Sequence, residues 1–310
     1  MTGGSDRISI DALKGNPARQ RRERIIRGAF FVSAALAIVI SVAIVVSLLG
    51  DTITFLRGVD PMALFADAWQ PRAGDYGLLT IISGTLVISV IAMVVATPLG
   101  LGAAIYLAEY ASPRTRGWLK PILEVLATIP SVVLGFFALT VLSPTVIQFA
   151  CPGTTPVFTL ASAGVAVGIL ITPLIASISE DAMYAVPNSL REAAYGLGAE
   201  KRTTSIRVVV PAAVSGIVAS LIVGFSRAIG ETMIVAIAAG GVGGAVFNLN
   251  PCLPGQTMTG AMTVIAIGSD AVGGGVAFNS LFFVGLLLFF MTMGLNLVSE
   301  AFVRRMRKGY

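Results

Sequence analysis

The chain has no histidine, no nucleotide-binding phosphate loop and few charged residues. It contains 310 residues, of which only 12% are charged, against roughly 25% in soluble domains. Without histidine it lacks the commonest general base and the imidazole ligand of metal sites. It also lacks the Gly-x-x-x-x-Gly-Lys-Ser/Thr pattern, so we do not expect it to bind a nucleoside triphosphate. We therefore predict no catalytic residues, no metal ligands and no cofactor in this chain.

Long uncharged stretches dominate the sequence. Hydrophobic residues make up 55% of the chain and its mean hydropathy is +0.88, which is more apolar surface than a soluble protein of this length can bury. A helix needs about 20 apolar residues to cross a lipid core about 30 Å thick. We therefore predict an all-α polytopic membrane protein with six transmembrane helices, in residues 28–50, 78–108, both halves of 125–179, 208–239 and 271–299.

The long uncharged stretch 125–179 must contain two spans, because it is far longer than one helix needs. We place the loop between them at residues 143–156, where Pro144, Pro152 and Pro156 interrupt the apolar sequence. The first apolar stretch is too long for the core of a signal peptide, and we expect it to remain as a helix.

Lysine and arginine cluster before the first predicted span, after the second, after the fourth and after the sixth. Because such clusters stay in the cytoplasm, both termini are predicted to be cytoplasmic, in a bacterial plasma membrane. The same clusters account for the net charge of +5 and the pI of 9.5, so we do not expect nucleic acid as a partner.

The two cysteines, Cys151 and Cys252, fall in outer loops in this topology. The outer side of a bacterial membrane is oxidising, so a disulfide between them is possible. Two free cysteines are equally compatible with the sequence, because a bridge needs Cα atoms about 4.4–6.8 Å apart.

The polar segment between the fourth and fifth spans has the features of a short helix followed by a turn. Ser189 and Glu192 have the spacing of a capping box, in which each side chain accepts a hydrogen bond from a free N–H of the first turn. Ala193 and Ala194 favour a helix and offer a small face for packing against another protein. Gly198 can end the helix at a positive φ. An ordinary connecting loop is the alternative interpretation.

Two opposite charges lie within the fifth predicted span. Arg227 and Glu231 are one turn apart, close enough to pair on one helix face, although each costs about 2.5–3.5 kcal/mol on insertion scales. In one interpretation Arg227 binds an oxyanion in a water-accessible pathway, while Glu231 orients the guanidinium and keeps the anion from binding too tightly. In the other, the pair only fixes helix packing. Gly230 between them is expected to permit close approach of a neighbouring helix.

The polar segment resembles the EAA loop of ABC-importer permeases, which combines a Glu-Ala-Ala sequence, a following glycine and a closing proline. Two valines replace the isoleucine and leucine of that family before the proline. The matching positions are Glu192, Ala193, Ala194 and Gly198, closed by Val208, Val210 and Pro211. The resemblance implies that this helix docks on a separate ATP-binding subunit and couples its closure to the spans.

The sequence Arg-Ala-Ile-Gly-Glu-Thr at residues 227–232 is similar to the permeases of phosphate-specific ABC importers. The segments 98–109 and 129–137 share this similarity, and residues 179–182 favour the C-type over the A-type permease subunit. The resemblance implies the type I importer permease fold and a heterodimer with a second permease subunit. Its further implied partners are two ATP-binding subunits that hold ATP and magnesium, a phosphate-binding protein outside the cell, phosphate itself and membrane lipid.

On this basis the chain divides into four parts. These are a basic cytoplasmic tail (1–27), the first span with its outer loop (28–75), the type I transmembrane domain with its coupling loop at 180–207 (76–303), and a second cytoplasmic tail (304–310).

Three other functions remain compatible with the residues. A permease of the same architecture for sulfate or molybdate would differ only in the anion. An ion-coupled secondary transporter or channel would use Arg227 and Glu231 as a gate, but would have no need of the Glu-Ala-Ala segment. A membrane scaffold would not need charges inside a span.

Overall fold

The computed structural model describes residues 17–152, 157–241, 245–268 and 275–307. Pro156 and the ends of both predicted cytoplasmic tails lie outside these ranges. The chain forms two compact units, residues Met1–Gly50 and Asp51–Tyr310, which are described separately. The helices are, in chain order, α1 (Pro17–Gly58), α2 (Leu78–Ile105), α3 (Pro113–Ala127), α4 (Ser131–Phe137), α5 (Gln148–Ala150), α6 (Leu160–Tyr184), α7 (Asn188–Gly196), α8 (Lys201–Thr204), α9 (Val210–Ala212), α10 (Val214–Ile229), α11 (Met233–Ala238), α12 (Met258–Ile267) and α13 (Val276–Arg307).

The described part of the first unit is helical throughout and belongs to α1. The most apolar 18 residues of this helix have a mean hydropathy of 2.8, and none of them is buried inside the protein. The hydroxyls of Ser33 and Ser41 donate to carbonyls four residues earlier, at Ala29 and Ala37. The helix therefore satisfies its own polar groups, as a lipid-facing segment must.

Within the described residues, five helical segments are long and apolar enough to cross a membrane, and a bent pair would make a sixth. This confirms the predicted number of spans. The segments are Gln20–Gly58, Leu78–Tyr110, Ser131–Ala150, Leu160–Tyr184 and Val276–Arg305, with the bent pair formed by Lys201–Ala212 and Val214–Ile229.

The second segment, the third segment and the bent pair each contain a wide π turn, at Tyr106–Tyr110, Ala138–Ile147 and Ser205–Val209 respectively.

The third span is longer than predicted. It continues through Pro144, which lies within the π turn Ala138–Ile147, and ends at Ala150. The hydroxyl of Ser143 donates to the carbonyl of Val157 at 2.6 Å. The start of the predicted loop at residue 143 is therefore wrong, because the helix continues past Pro144 with the wider hydrogen bonding of a π turn, in which Gln148 N donates to the Ser143 carbonyl. A proline does not by itself end a span here, since Pro98 and Pro173 also lie inside helices.

The centre of the second unit is the packing of α2 against α6. Buried side chains of both helices, with parts of α4, α10 and α11, form one apolar core. Glycines allow the two backbones to approach closely: a Cβ added to Gly168 would lie 2.8 Å from the Val95 Cβ and 2.9 Å from the Ala92 carbonyl oxygen. A Cβ at Gly164 would lie 2.7 Å from the Ile91 Cβ. Small residues at helix interfaces are characteristic of membrane bundles.

A small antiparallel sheet was not predicted. Its strand order is β2–β1–β3, from β1 (Ala68–Gln70), β2 (Asp75–Tyr76) and β3 (Ala245–Val246). Trp69 packs edge-on against Tyr76, and both belong to an apolar cluster with Phe55. Strands of two or three residues are too short to give a period-two pattern in the sequence, so the prediction of an all-α fold holds for the spans but not for this sheet.

Candidate functional site: the coupling helix and the break in the fifth span

The predicted coupling helix is α7, Asn188–Gly196. Its N-cap is Pro187, and no side chain caps this end, so the predicted capping box between Ser189 and Glu192 is wrong. Ser189 lies inside the helix because the fixed φ of Pro187 sets the helix start earlier. At the other end Gly198 has a φ of +80°, and its N–H donates to the carbonyl of Tyr195 at 2.9 Å. The predicted turn at Gly198 is confirmed.

The two alanines of the Glu-Ala-Ala sequence lie in different environments, one exposed and one buried. Glu192 and Ala193 are exposed, whereas Ala194 is buried against the protein. The predicted single Ala-Ala docking face is therefore wrong, because adjacent helical residues lie about 100° apart on the helix. Leu197, which sequence reasoning missed, is 90% exposed just after the helix end. The outward surface therefore includes Glu192, Ala193 and Leu197, together with the exposed side chains of Leu190 and Tyr195.

Arg191 connects α7 to two spans. Its Nε and Nη2 donate to Oε1 of Glu109, at 3.2 and 2.8 Å. Its Nη1 and Nη2 also donate to the carbonyls of Val186 and Met183, at 2.6 and 2.9 Å. These carbonyls lie at and just beyond the C-terminal end of α6, where the partial negative charge of the helix end attracts cations. Glu109 belongs to the π turn that extends α2.

A second ion-pair cluster lies near the same end of α6. Glu180 is fully buried, and its carboxylate contacts Nη2 of Arg116 and, at 2.9 Å, Nζ of Lys120. Lys120 also contacts Asp181 at 2.9 Å. Both cations come from α3, so the cluster holds α3 against α6. In the sequence, Glu180 and Asp181 belong to the segment that resembles the C-type permease subunit, and their ion pairs were not predicted. The signal that could have indicated them is a carboxylate at the end of a long uncharged stretch.

The environment of Lys120 favours its charged form. Hydrogen bonds to Glu180 and then Asp181 raise the pKa of Lys120 above its usual 10.5, although partial burial opposes this. A groove of about 690 Å³ opens beside the cluster, lined in part by Arg116, Lys120 and Tyr184. The Arg116 guanidinium lies over the Tyr184 ring, 4.1 Å from its centroid.

The fifth span is broken twice, so the continuous span predicted at 208–239 is wrong. Lys201–Ala212 and Val214–Ile229 meet at a bend of 70°. The second break follows Ile229, where Gly230 forms the C-cap of α10 and α11 begins only at Met233. The Thr259 hydroxyl donates to the carbonyl of Glu231 at 2.7 Å, so α12 supplies a hydrogen bond that the broken helix cannot.

The second break separates the two predicted pathway residues. Arg227 lies in the last turn of α10 and is exposed, whereas Glu231 lies beyond the helix and is half-buried. No ion pair joins them in the part of the chain that the structure describes, so the predicted pairing on one helix face is wrong. A Cβ at Gly230 would meet only the carbonyls of Ser226 and Arg227, at 3.7 and 3.8 Å. Among the described residues of this chain, no other helix approaches Gly230 closely, so the expected packing contact is not made there.

Cys151 and Cys252 form a disulfide, with Cα atoms 5.8 Å apart. Of the two arrangements that the sequence left open, the structure has the disulfide. It links the end of the third span to the segment that leads into α12. At the start of α12 the hydroxyl of Thr257 accepts from Gly260 N, and Met258 N donates to Thr85 of α2 at 3.0 Å.

Comparison with curated proteins gives relatives that match most of this chain. The probable ABC transporter permease protein YqgH of Bacillus subtilis (strain 168) is 31% identical over 94% of this chain and 95% of its own length. The phosphate transport system permease protein PstC of Xylella fastidiosa (strain 9a5c) is 32% identical over 82% of this chain and 81% of its own length. PstC of Haemophilus influenzae (strain ATCC 51907 / DSM 11121 / KW20 / Rd) is 31% identical over 89% and 91%.

Solved structures share the fold at low sequence identity. A chain of a bacterial ABC transporter involved in the import of the acidic polysaccharide alginate matches with a TM-score of 0.58 at 14% identity, over 92% of this chain and 99% of that chain. A chain of the inward-facing MetNI methionine ABC transporter matches with a TM-score of 0.54 at 19% identity, over 72% and 92%. The predicted type I importer permease fold is confirmed. Residues 96–308 match the family described as binding-protein-dependent transport system inner membrane component, and the chain belongs to that family.

Proposed function

We propose that this chain is the permease subunit of an ATP-binding-cassette importer that moves inorganic phosphate into the cell. The observation that carries the proposal is the agreement between relatives named PstC, at 31–32% identity over about four-fifths of the chain, and the geometry of α7. That helix ends at a glycine with positive φ and presents Glu192, Ala193 and Leu197 outward. An exposed helix at the end of a membrane bundle fits docking on a soluble subunit.

The partners follow from this role. The chain forms half of the translocation pathway beside a second permease subunit, and two ATP-binding subunits hold ATP and magnesium and perform the hydrolysis. A phosphate-binding protein delivers the substrate from outside. The chain itself is a transport subunit and not an enzyme, with no cofactor of its own. It spans a bacterial inner membrane several times, with both termini in the cytoplasm as its Lys and Arg clusters indicate.

Arg227 is the proposed phosphate contact in the pathway. Its exposure in the single chain leaves the guanidinium available to a pathway that the second permease completes. A planar guanidinium matches the oxygens of phosphate and offers two parallel donors. Glu231, beyond the helix break, acts from a separate backbone segment, where its negative charge weakens anion binding so that phosphate can leave.

The test is uptake of radiolabelled phosphate by cells in which this importer is the only phosphate system. Arg227→Gln should reduce uptake at least about tenfold, the equivalent of about 1.4 kcal/mol, while the subunits still co-purify. Arg57→Gln, at an exposed arginine in the last turn of α1, should transport normally. Undiminished uptake by the Arg227 variant would remove this residue from the pathway. Uptake of sulfate or molybdate in place of phosphate would refute the assigned substrate.

A further inference from the structure

We propose that Arg191 and Glu109 form a clamp that makes the coupling helix move as one body with the cytoplasmic ends of the second and fourth spans. The inference rests on the proposed function, because it assigns a route from the docking helix α7 to the bundle. Arg191 is a positioning residue in this scheme. Its role is to fix where α7 lies relative to α2 and α6, through its contacts with Glu109, Met183 and Val186.

The clamp joins three elements through one side chain. Within α7, the Nη1 of Arg191 donates to Asn188 Oδ1 at 3.3 Å. Towards α6, the guanidinium binds the carbonyls of Met183 and Val186. Towards α2, it donates twice to a single oxygen of Glu109. A planar fork that fills several acceptors fixes distance and angle together, which a flexible lysine cannot do.

Burial makes the clamp persistent. The side chain of Glu109 is only 5% exposed and that of Arg191 only 15%. Separating them would leave a charge inside the protein without its partner, which is strongly unfavourable. The ion pair between Arg304 and Glu300 on α13 provides a contrast, since both side chains are largely exposed and such surface pairs contribute little.

A second contact ties the chain beyond α7 to the same π turn. The ammonium of Lys201, the first residue of α8, lies 5.1 Å from the ring centroid of Tyr110, a distance at which a cation is attracted to the ring face. Tyr110 directly follows Glu109 in the sequence. The Tyr106–Tyr110 segment therefore contacts the chain before Gly198 through Arg191 and the chain after it through Lys201. A displacement of α7 is expected to displace that segment as well.

The first experiment measures the geometry of the clamp in the purified full chain in lipid nanodiscs. The two native cysteines are joined to each other, so spin labels can be placed at Tyr106→Cys and Tyr195→Cys, both at exposed positions. The distance distribution between the labels should be narrow in the otherwise unsubstituted chain. Glu109→Gln should increase the width of this distribution at least about twofold, because a neutral amide binds the guanidinium more weakly than a carboxylate does. Glu300→Gln, the same change in the exposed pair, should leave it unaltered.

The second experiment measures coupling in proteoliposomes that contain all subunits and the binding protein. Glu109→Gln and Arg191→Lys should each lower phosphate transported per ATP hydrolysed at least about fivefold, while ATP hydrolysis stays within about twofold of the unsubstituted complex. Arg191→Lys keeps the charge and loses the fork, so it tests geometry if Glu109→Gln fails to assemble. Glu300→Gln should retain the normal ratio.

The two experiments separate failure of the clamp from failure of the proposed function. An unchanged distance distribution in Glu109→Gln, or an unchanged ratio of phosphate transported to ATP hydrolysed in an active complex of either clamp variant, would overturn the clamp. If the unsubstituted complex transports no phosphate, the proposed function fails, and the distance measurement still decides whether the clamp exists.

Discussion

The charged side chains of this protein differ mainly in whether they are buried and paired with an opposite charge or exposed. Glu180 and Glu109 are buried and paired with cations from other helices, whereas Arg227 is exposed. Because an unpaired charge is unfavourable in both lipid and protein, the buried pairs fix the packing of neighbouring helices. The exposed Arg227 is the residue that we propose as the phosphate contact.

Gly198 offers a test at the scale of one residue. Its φ of +80° disfavours any side chain, although a Cβ there would meet no atom of the described residues within 4 Å. Gly198→Ala should therefore act through backbone strain alone, at about 1–2 kcal/mol, and reduce phosphate transported per ATP hydrolysed. Gly196→Ala is the matched control, because Gly196 also has open space around it but lies in the helix. Equal coupling in the two variants would contradict the assigned role of the turn.

Lys120 gives a prediction for the dependence of stability on pH. Its pKa is raised in the folded chain, so its stabilising contribution is complete below the usual value of 10.5 and is lost as pH rises through the raised pKa. The thermal unfolding midpoint of the full chain should therefore fall above about pH 10.5. Lys120→Arg should weaken this fall, because a guanidinium stays charged there. Identical alkaline profiles would show that Lys120 does not contribute in this way.

At the scale of elements, the contact between α2 and α6 depends on glycine. Gly168→Ala should destabilise the purified chain in detergent by about 1–3 kcal/mol, because its new Cβ would meet the Ala92 carbonyl and Val95. Gly102→Ala, on α2 with open space around it, should be neutral or gain up to about 1 kcal/mol of helix propensity. Thermal unfolding midpoints test this, and a Gly168 variant as stable as the Gly102 variant would refute close packing at that point.

The helices also show where a sequence pattern gives the wrong boundary. Pro144 predicted a loop but lies in a π turn of the third span, and Gly230 predicted a packing contact but ends α10. In each case the backbone forms hydrogen bonds other than those of an α-helix: those of a π turn at Pro144, and one with a side chain of another helix after Gly230. For the break after Ile229 one partner is Thr259, which lies far away in the sequence, so periodicity within the span could not indicate it.

At the scale of the whole molecule, the disulfide links positions 101 residues apart in the sequence. A crosslink closing a loop of about 100 residues can contribute up to about 4.7 kcal/mol by restricting the unfolded chain. Replacing both Cys151 and Cys252 by serine should lower the thermal unfolding midpoint of the chain, and reducing agent should do the same to the unsubstituted protein. Reducing agent should have no further effect on the double variant. Equal midpoints with and without the bond would show that it does not stabilise the fold.

The sequence by itself determined that this protein lies in a lipid membrane, how many spans it has and where the turn at Gly198 lies. These depend on local quantities: the length of uncharged stretches compared with the thickness of lipid, and the backbone freedom of one glycine. The relation to importer permeases was also readable, from the Glu-Ala-Ala segment and residues 227–232.

Only the tertiary structure decided which charges meet. Arg191 could have paired with any nearby carboxylate, yet it binds Glu109, 82 positions away in the sequence, and Glu180 pairs with two cations of α3. It also separated Arg227 from Glu231, although their spacing favours a pair on a continuous helix. The physical reason is that an ion pair depends on a distance of a few ångströms between side-chain atoms, and this distance is set by how the helices pack and where they break.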